Sequence, residues 1–250
     1  MTVEFVVPSF RRPVECMRCT VRLLAENGIR PTVYLSDPDE MDAYAGAARD
    51  EGLESSVTLR PGVAGLPHNR NHIRRLCPEG SYFVSMDDDV SSVSRLAPNG
   101  KRLLPVNLAQ LIQEAEAFCR KRDITLWGVY PVANHFFMSN RVRVGNYFVG
   151  GAIYMERSFH DAAYDVQTDF PGTRDDIERT LIHDDLGRVA RFEFVTHNTD
   201  YLKLAGGLQA GVRDEDAHVD WILKTWPHKT KGWQRKDGRR EIKLLAGKGS

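Results

Sequence analysis

The 250-residue chain predicts a single α/β domain with a mostly parallel central sheet flanked by helices. Short β-rich segments alternate with helical ones over residues 1–95, and the segment YFVSM (82–86) is apolar enough to be buried on both faces. No repeat, low-complexity tract or linker interrupts the chain. Strands that alternate with helices pair in parallel through right-handed crossovers, and such sheets bind ligands beyond the carboxyl ends of their strands.

The elements follow in order. VEFVVPSF is a first strand ending at Pro8, and RPVECMRCTVRLLAENG is a helix that Pro13 opens and Gly28 closes. PTVYLSD is a second strand, residues 38–51 a second helix, SSVTLR a third strand, and GLPHNRNHIRRLC the start of a third helix. The fourth strand, YFVSM, runs into Asp87, Asp88 and Asp89. Beyond residue 95, NLAQLIQEAEAFCRKRD sets Leu108, Leu111, Ile112, Ala115 and Phe118 at helical spacing. Two aromatic-rich strands, TLWGVYPV and GNYFVGGAIYM, flank the loop ANHFFMSNRVR; RDDIERTLIHDDLG is a helix with an acidic start, and VARFEFVTHN a further strand. The domain reads as a nucleotide-binding half (1–95), an acceptor-binding half (96–220) and a basic C-terminal segment (221–250).

Lys plus Arg equals Asp plus Glu at 34 each, which gives no whole-molecule attraction to nucleic acid or membrane. No apolar run approaches the roughly 20 residues of a membrane span, and MTVEFVVPSF lacks the features of a signal peptide. A cytoplasmic protein with no membrane partner and no obligate protein partner is expected. The four cysteines are too sparse for a disulfide scaffold. Cys16 and Cys19 form a lone CxxC with no second pair to complete a four-sulfur zinc site, so reduced thiols are expected.

The chemistry is concentrated at the predicted strand ends. On extended chain Asp87 and Asp89 would project to one side, about 6–7 Å apart, a spacing that suits one divalent cation and a phosphate. An Asp-rich turn or a helix N-cap would use the same residues. The turn from Pro8 to Arg12, Asp37 with Asp39, and Asn69 with Arg70 fall at the same rim.

A fourth strand ending in DDD resembles the metal-binding DxD motif of glycosyltransferases of the GT-A fold. The resemblance implies a UDP-sugar donor with Mn²⁺ or Mg²⁺ on hard carboxylate oxygens. Asp89 would hold the metal, Asp87 would share it or bind the donor ribose, and Asp88 would contact the sugar or support the site. Pro8, Ser9 and Arg11 would line the nucleotide pocket, and Asp37 would hydrogen-bond uracil or ribose, although SDPDE departs from the family's Gly-Ser-rich loop. Asn69 and Arg70 would face the diphosphate from a helix start. In RDDIERT, Asp176 would be the base of an inverting transfer, with Asp175 as its neighbour; either acid would also cap a helix. A C-terminal histidine often adds a third ligand, and His197, His218 and His228 qualify by position, His197 first. Gly206 and Gly207 in AGGLQAG would let backbone amides approach the diphosphate, with Arg213 or Lys203 adding charge.

A narrower resemblance covers nearly the whole chain. VPSFRRP, SMDDDV, WGVYPVANHFFM, YFVGGAIYM, RDDIERT and AGGLQAGVRDEDA, in this order, resemble the phage glycosyltransferases found beside TET/J-binding-protein dioxygenases. This implies sugar transfer to the hydroxymethyl group of 5-hydroxymethylcytosine or 5-hydroxymethyluracil in phage DNA, within the host cytoplasm, with the base flipped into a pocket. Trp127, Tyr130, Asn134, His135 and Phe136, with Gly150 and Gly151, are candidates to line that pocket, although aromatic strand ends are more often core. From Trp221 onward, basic residues interleaved with Trp226 and Trp233 suit phosphate contacts and base stacking. A solvated tail, or one folded over the donor phosphates, fits the same composition. The competing readings are a saccharide or protein acceptor, and a non-catalytic DNA-binding module of the same fold.

Overall fold

A computed structural model describes residues 3–145, 148–149, 151–170, 174–199 and 215–245. The first half alternates as predicted: β1 (Glu4–Ser9), α1 (Pro13–Cys16), a π-helical turn (Met17–Val21), α2 (Arg22–Glu26), β2 (Thr32–Leu35), α3 (Met41–Asp50), β3 (Thr58–Pro61), α4 (Leu66–Leu76) and β4 (Tyr82–Met86). Then follow β5 (Val90–Leu96), β6 (Leu103–Pro105), α5 (Leu108–Arg122), β7 (Leu126–Tyr130), β8 (Val142–Val144), β9 (Ile153–Arg157), α6 (Asp175–Leu186) and β10 (Val189–Thr199). The described chain closes with α7 (Glu215–Thr225) and a hairpin of β11 (Thr230–Gln234) and β12 (Arg240–Leu244).

The ten-stranded sheet has the order β3-β2-β1-β4-β9-β7-β10-β5-β6, with β8 also paired to β10. β1, β2, β3, β4, β6, β7 and β10 share one direction, and β5, β8 and β9 oppose it. The β3-β2-β1-β4 half is wholly parallel, as the predicted crossovers require. Its central strand β4 is buried throughout, in agreement with its apolar run.

The main core lies where Val7, Val33, Val84 and Met86 meet Met17, Leu24 and Tyr44 on one side of the sheet and Leu111 and Ile112 of α5 further along. Each such apolar side chain contributes about 1.5–3 kcal/mol by leaving water. Trp127 belongs to this core. It is fully buried and packs edge to face on Phe192 with centroids 5.2 Å apart, so it is not the acceptor-pocket wall expected from sequence. A second cluster, with Val6, Ile73, Phe83 and Tyr154, packs separately. The third joins Ile177 and Leu181 of α6, Val219 and Ile222 of α7, and Ile242 of β12.

Three features differ from the sequence reading. The first helix contains a π-helical turn, β5 follows the aspartates directly, and the described part of the basic segment is folded as the end of α7 and a hairpin, which excludes a solvated tail there. All four cysteines are free. Burial pushes the Cys16 thiol up, so this CxxC half is a packed, protonated side chain. Among the described residues no helix is long and apolar enough to cross a membrane.

Candidate active site

The carboxyl ends of β1, β2 and β4 and the start of α4 surround a cavity of ≈ 220 Å³. Pro8, Ser9, Asp87, Asp88 and Asp89 line it as expected, with Phe10 and Arg12 from the predicted rim turn, together with Ser36, Gly65 and Leu66, which the sequence did not single out. Gly65 sits at φ +88°, a conformation that glycine adopts without strain, and from there the chain enters α4 through Pro67 in its first turn.

The three aspartates do not follow strand alternation. β4 ends at Met86 and the aspartates form the turn into β5. Thr20, presented by the π-helical turn, holds that turn: its hydroxyl donates to the Asp87 carbonyl at 2.6 Å and accepts from the Val90 amide at 3.0 Å. Asp88 and Asp89 therefore converge on Arg12 Nη1, at 3.3 and 3.2 Å, while Asp87 turns to Arg70 Nη2 at 2.6 Å. The expected Asp87–Asp89 alignment is replaced by an Asp88–Asp89 convergence. Ser9 Oγ donates to Asp88 at 2.6 Å and lies 2.6 Å from Tyr44 Oη, which also accepts the Arg12 amide at 3.2 Å.

Burial pushes Asp88 up to about 7 and Asp89 up to about 6, against the pull of Arg12 and with the neighbouring aspartates adding to the rise. One guanidinium shared by two buried carboxylates leaves negative charge uncompensated. That shortfall, on oxygen donors alone, fits a hard divalent cation. Asp87, whose side chain is 35% exposed, is the acid open to the cavity. Among the described residues no three His, Cys, Asp or Glu side chains gather as a ready-made ligand set.

The histidines separate clearly. His197 lies on β10 opposite Val93 of β5; burial lowers its pKa while the charge of Asp87 acts to raise it, and its Nδ1 is buried with no hydrogen-bond partner among the described residues. His218 is occupied: its Nδ1 accepts the Arg174 amide at 3.1 Å, its Nε2 meets Glu178 at 3.1 Å, and its ring stacks on Phe170. His228 is exposed on the connection to β11. Only His197 keeps the properties of a candidate ligand.

Three nucleotide-pocket expectations change. Arg11, at φ +54°, turns outward: it stacks over Phe10 and lies 3.9 Å from Glu40, with its side chain 58% exposed. Arg12 takes the inward position. Asn69 is fully buried and spent on structure, with Nδ2 donating to the Tyr34 carbonyl (3.2 Å) and Ser36 Oγ (3.1 Å) and Oδ1 accepting the Val63 amide (3.3 Å). A Cβ at residue 62 would lie 2.3 Å from Asn69 Oδ1, so Gly62 is what lets this clamp close. Asn69 therefore fixes the ends of β2 and β3 rather than facing a diphosphate. Asp37 caps the short 3₁₀ turn Pro38–Glu40 through the Asp39 amide at 3.1 Å, which leaves Ser36 beside the cavity.

Arg70 joins the two acid blocks. Its Nη2 holds Asp87 and its Nη1 reaches Asp175 Oδ2 at 2.5 Å, from a side chain only 7% exposed. Arg179, one turn into α6, adds a second bond to Asp175 at 3.0 Å. A ladder of buried charge continues behind it: Glu156 of β9 lies 3.6 Å from Arg179, 3.5 Å from Arg74 and 3.3 Å from His183. Against the cost of burial, Arg70 and Arg179 hold Asp175 down to about 2. Burial and the Asp175 charge raise Asp176 to about 6, with the Ile177 amide donating to its Oδ1 at 2.8 Å. Asp176 is thus ionised yet basic near neutrality, the property a general base requires.

Of the residues expected to line the acceptor pocket, Tyr130 ends β7 with the Arg191 guanidinium 5.2 Å from its ring centroid. Asn134 caps the 3₁₀ turn His135–Phe137 through the Phe136 amide at 3.1 Å. Phe136 is 80% exposed with the His135 ring tilted against it, so these side chains form a lip rather than a closed pocket. Gly151 has φ +112°. Gly150, Gly206, Gly207, Lys203 and Arg213 lie outside the described residues.

Among solved structures, the chain superposes on Staphylococcus aureus TarS (residues 1–349) with a TM-score of 0.54 at 12% identity, covering 78% of this chain and 60% of that one. HddC from Yersinia pseudotuberculosis aligns at 12% identity over 63% of this chain and 77% of that one, with a TM-score of 0.38, too distant to bear on the fold. No family model and no curated protein matches the sequence. The architecture is a GT-A-like glycosyltransferase fold.

Proposed function

We propose that the chain is a divalent-cation-dependent inverting glycosyltransferase that moves a sugar from a UDP-sugar to the hydroxymethyl group of a modified pyrimidine in DNA. The observation that carries this reading is the Arg70 bridge, which puts the Asp87–Asp89 turn and the Asp175–Asp176 pair at one rim. Asp176 would take the proton of the acceptor hydroxyl as its oxygen bonds the anomeric carbon and the bond from that carbon to the UDP oxygen breaks. Asp175, fixed by Arg70 and Arg179, keeps its charge and so keeps Asp176 basic. Pro8, Ser9 and Ser36 form the wall for the nucleotide. Asp87 and Asp89 would offer the oxygen donors for a Mn²⁺ or Mg²⁺ whose chemistry is to neutralise the leaving diphosphate. The hydroxymethylated base as acceptor is supported by the ordered motifs from VPSFRRP to AGGLQAGVRDEDA.

The test incubates the protein with Mn²⁺, a panel of UDP-sugars and DNA containing 5-hydroxymethylcytosine or 5-hydroxymethyluracil, then weighs the digested nucleosides. A hexose or N-acetylhexosamine increment that is absent with Asp89→Ala is expected. UDP release without any modified nucleoside would overturn the DNA acceptor, and no UDP release with any donor would overturn the transferase.

A further inference from the structure

Residues 226–245 carry seven basic side chains (Lys229, Lys231, Arg235, Lys236, Arg239, Arg240, Lys243) against two acidic ones (Asp237, Glu241), in a chain of zero net charge. Most of these cations are neutralised locally. Lys229 pairs with Asp184 and Asp185, Arg235 with Glu241, Arg239 with Asp237 and Arg240 with Asp220. Lys231 and Lys243 are exposed with no carboxylate within 4 Å among the described residues, and they sit directly opposite each other across the ladder. Like charges at a cross-strand pair cost stability. Trp233 follows two residues after Lys231 on the same face, and it is half exposed.

The orientation of this face is fixed. On the other side of the hairpin Ile242 enters the core shared by α6 and α7, and a Cβ at Gly232 would lie 3.0 Å from Leu223 of α7. Arg174 ties the hairpin to the Asp175–Asp176 pair: its guanidinium lies 3.4 Å from Glu241 and 3.4 Å from the Arg240 carbonyl, and the next residue is Asp175. Trp233 is the only large apolar side chain exposed on the described hairpin. A single indole two residues along the strand from a pair of lysines with no carboxylate within reach among the described residues suits phosphates with a stacked base, and offers no apolar face for entry into a bilayer.

We propose that the outward face of the β11–β12 hairpin, formed by Lys231, Trp233 and Lys243, is the surface on which a nucleic-acid strand docks beside the candidate base. The inference deepens the proposed function and rests on its reading of DNA as the acceptor polymer. The lysines hold phosphates, and the indole stacks on a base.

The test titrates the full chain with a fluorescein-labelled single-stranded oligonucleotide carrying 5-hydroxymethylcytosine and follows anisotropy at several NaCl concentrations. Lys231→Ala/Lys243→Ala should weaken binding at least about tenfold and lower the slope of log affinity against log salt by about 1.4, two contacts at roughly 0.7 each. Trp233→Ala should weaken it about five- to a hundredfold. Sugar transfer to the free 5-hydroxymethyl nucleoside should be unchanged in both variants. Affinity in both variants within about twofold of wild type would overturn the proposal, as would binding to phosphatidylserine vesicles but not to the oligonucleotide. Hairpin-dependent oligonucleotide binding without any sugar transfer would uphold the docking surface and reject the transferase reading. Transfer to the oligonucleotide that is undiminished in the variants would do the reverse.

Discussion

In the turn after β4 two buried carboxylates, Asp88 and Asp89, share the one guanidinium of Arg12, and both are pushed up, to about 7 and about 6. At the start of α6, Asp175 has two guanidiniums, Arg70 and Arg179, and falls to about 2, while Asp176 beside it touches none among the described residues and rises to about 6. Both blocks are runs of aspartate at the end of a secondary-structure element. What separates them is the number of arginines in contact with each carboxylate, because burial penalises every charge and only a touching countercharge offsets it. The first block is left short of positive charge, as a cation site would be. The second is split into one carboxylate held low and one pushed up, the pattern that marks paired carboxylates with different roles.

The sharpest way to break this contrast is at the unpaired member of the second block. Asp176→Asn keeps shape and removes the base, so transfer should fall about 10²–10⁴-fold while thermal stability is retained. In the wild type, initial rates should fall as pH drops through about 6, where Asp176 takes up its proton. A rate that stays level well below that pH would remove Asp176 from the chemistry.

Next in size is the arginine that serves both blocks. Arg70→Leu removes the partner of Asp87 and leaves Asp175 with Arg179 alone, and urea titration should show a loss of about 3 kcal/mol. Acid unfolding sharpens the same point with a definite sign. The folded-state value of Asp175 is depressed, so its contribution is present above the unfolded value near 4 and is lost as pH falls toward about 2. In Asp175→Asn that part of the acid transition should disappear.

Smaller effects separate scaffold from site. Asn69→Ala should cost about 1–3 kcal/mol in denaturant titration, for the buried groups it leaves unpaired, and should leave the donor KM unchanged. Smallest of all is Arg11→Ala: stability within about 0.5 kcal/mol of wild type and unchanged transfer, since its guanidinium lies outside the cavity.

Much of the framework was legible because it depends on patterns that sequence carries directly. The strand and helix alternation placed β1 to β4, and the acidic runs located both blocks. The misses have local physical causes. RRP does not say which arginine points inward; that is decided by the left-handed conformation of Arg11, which turns Arg12 toward Asp88. The asparagine beside Arg70 looked like a ligand-facing group, but the close approach allowed by Gly62 makes it a clamp. Three of the seven residues of VSSVSRL are serine, and the segment becomes β5 through pairing with β10 and β6. TLWGVYPV does not reveal that its indole packs on Phe192, since that contact is made across the sequence by β10. No pattern in the sequence announces that Arg70, Asp87 and Asp175 meet, because their separations of 17 and 105 residues are closed only by the fold.

In the proposed mechanism the two acid blocks form one site with divided labour, donor at the first and proton transfer at the second. The most direct measurement is calorimetric titration of UDP-sugar with Mn²⁺ into wild type, Asp89→Ala and Asp176→Asn, alongside transfer rates for the same three proteins. Asp89→Ala should lose donor binding and transfer together, while Asp176→Asn should bind donor as wild type does and lose transfer alone. Wild-type transfer in Asp176→Asn, or unchanged donor binding in Asp89→Ala, would contradict that division.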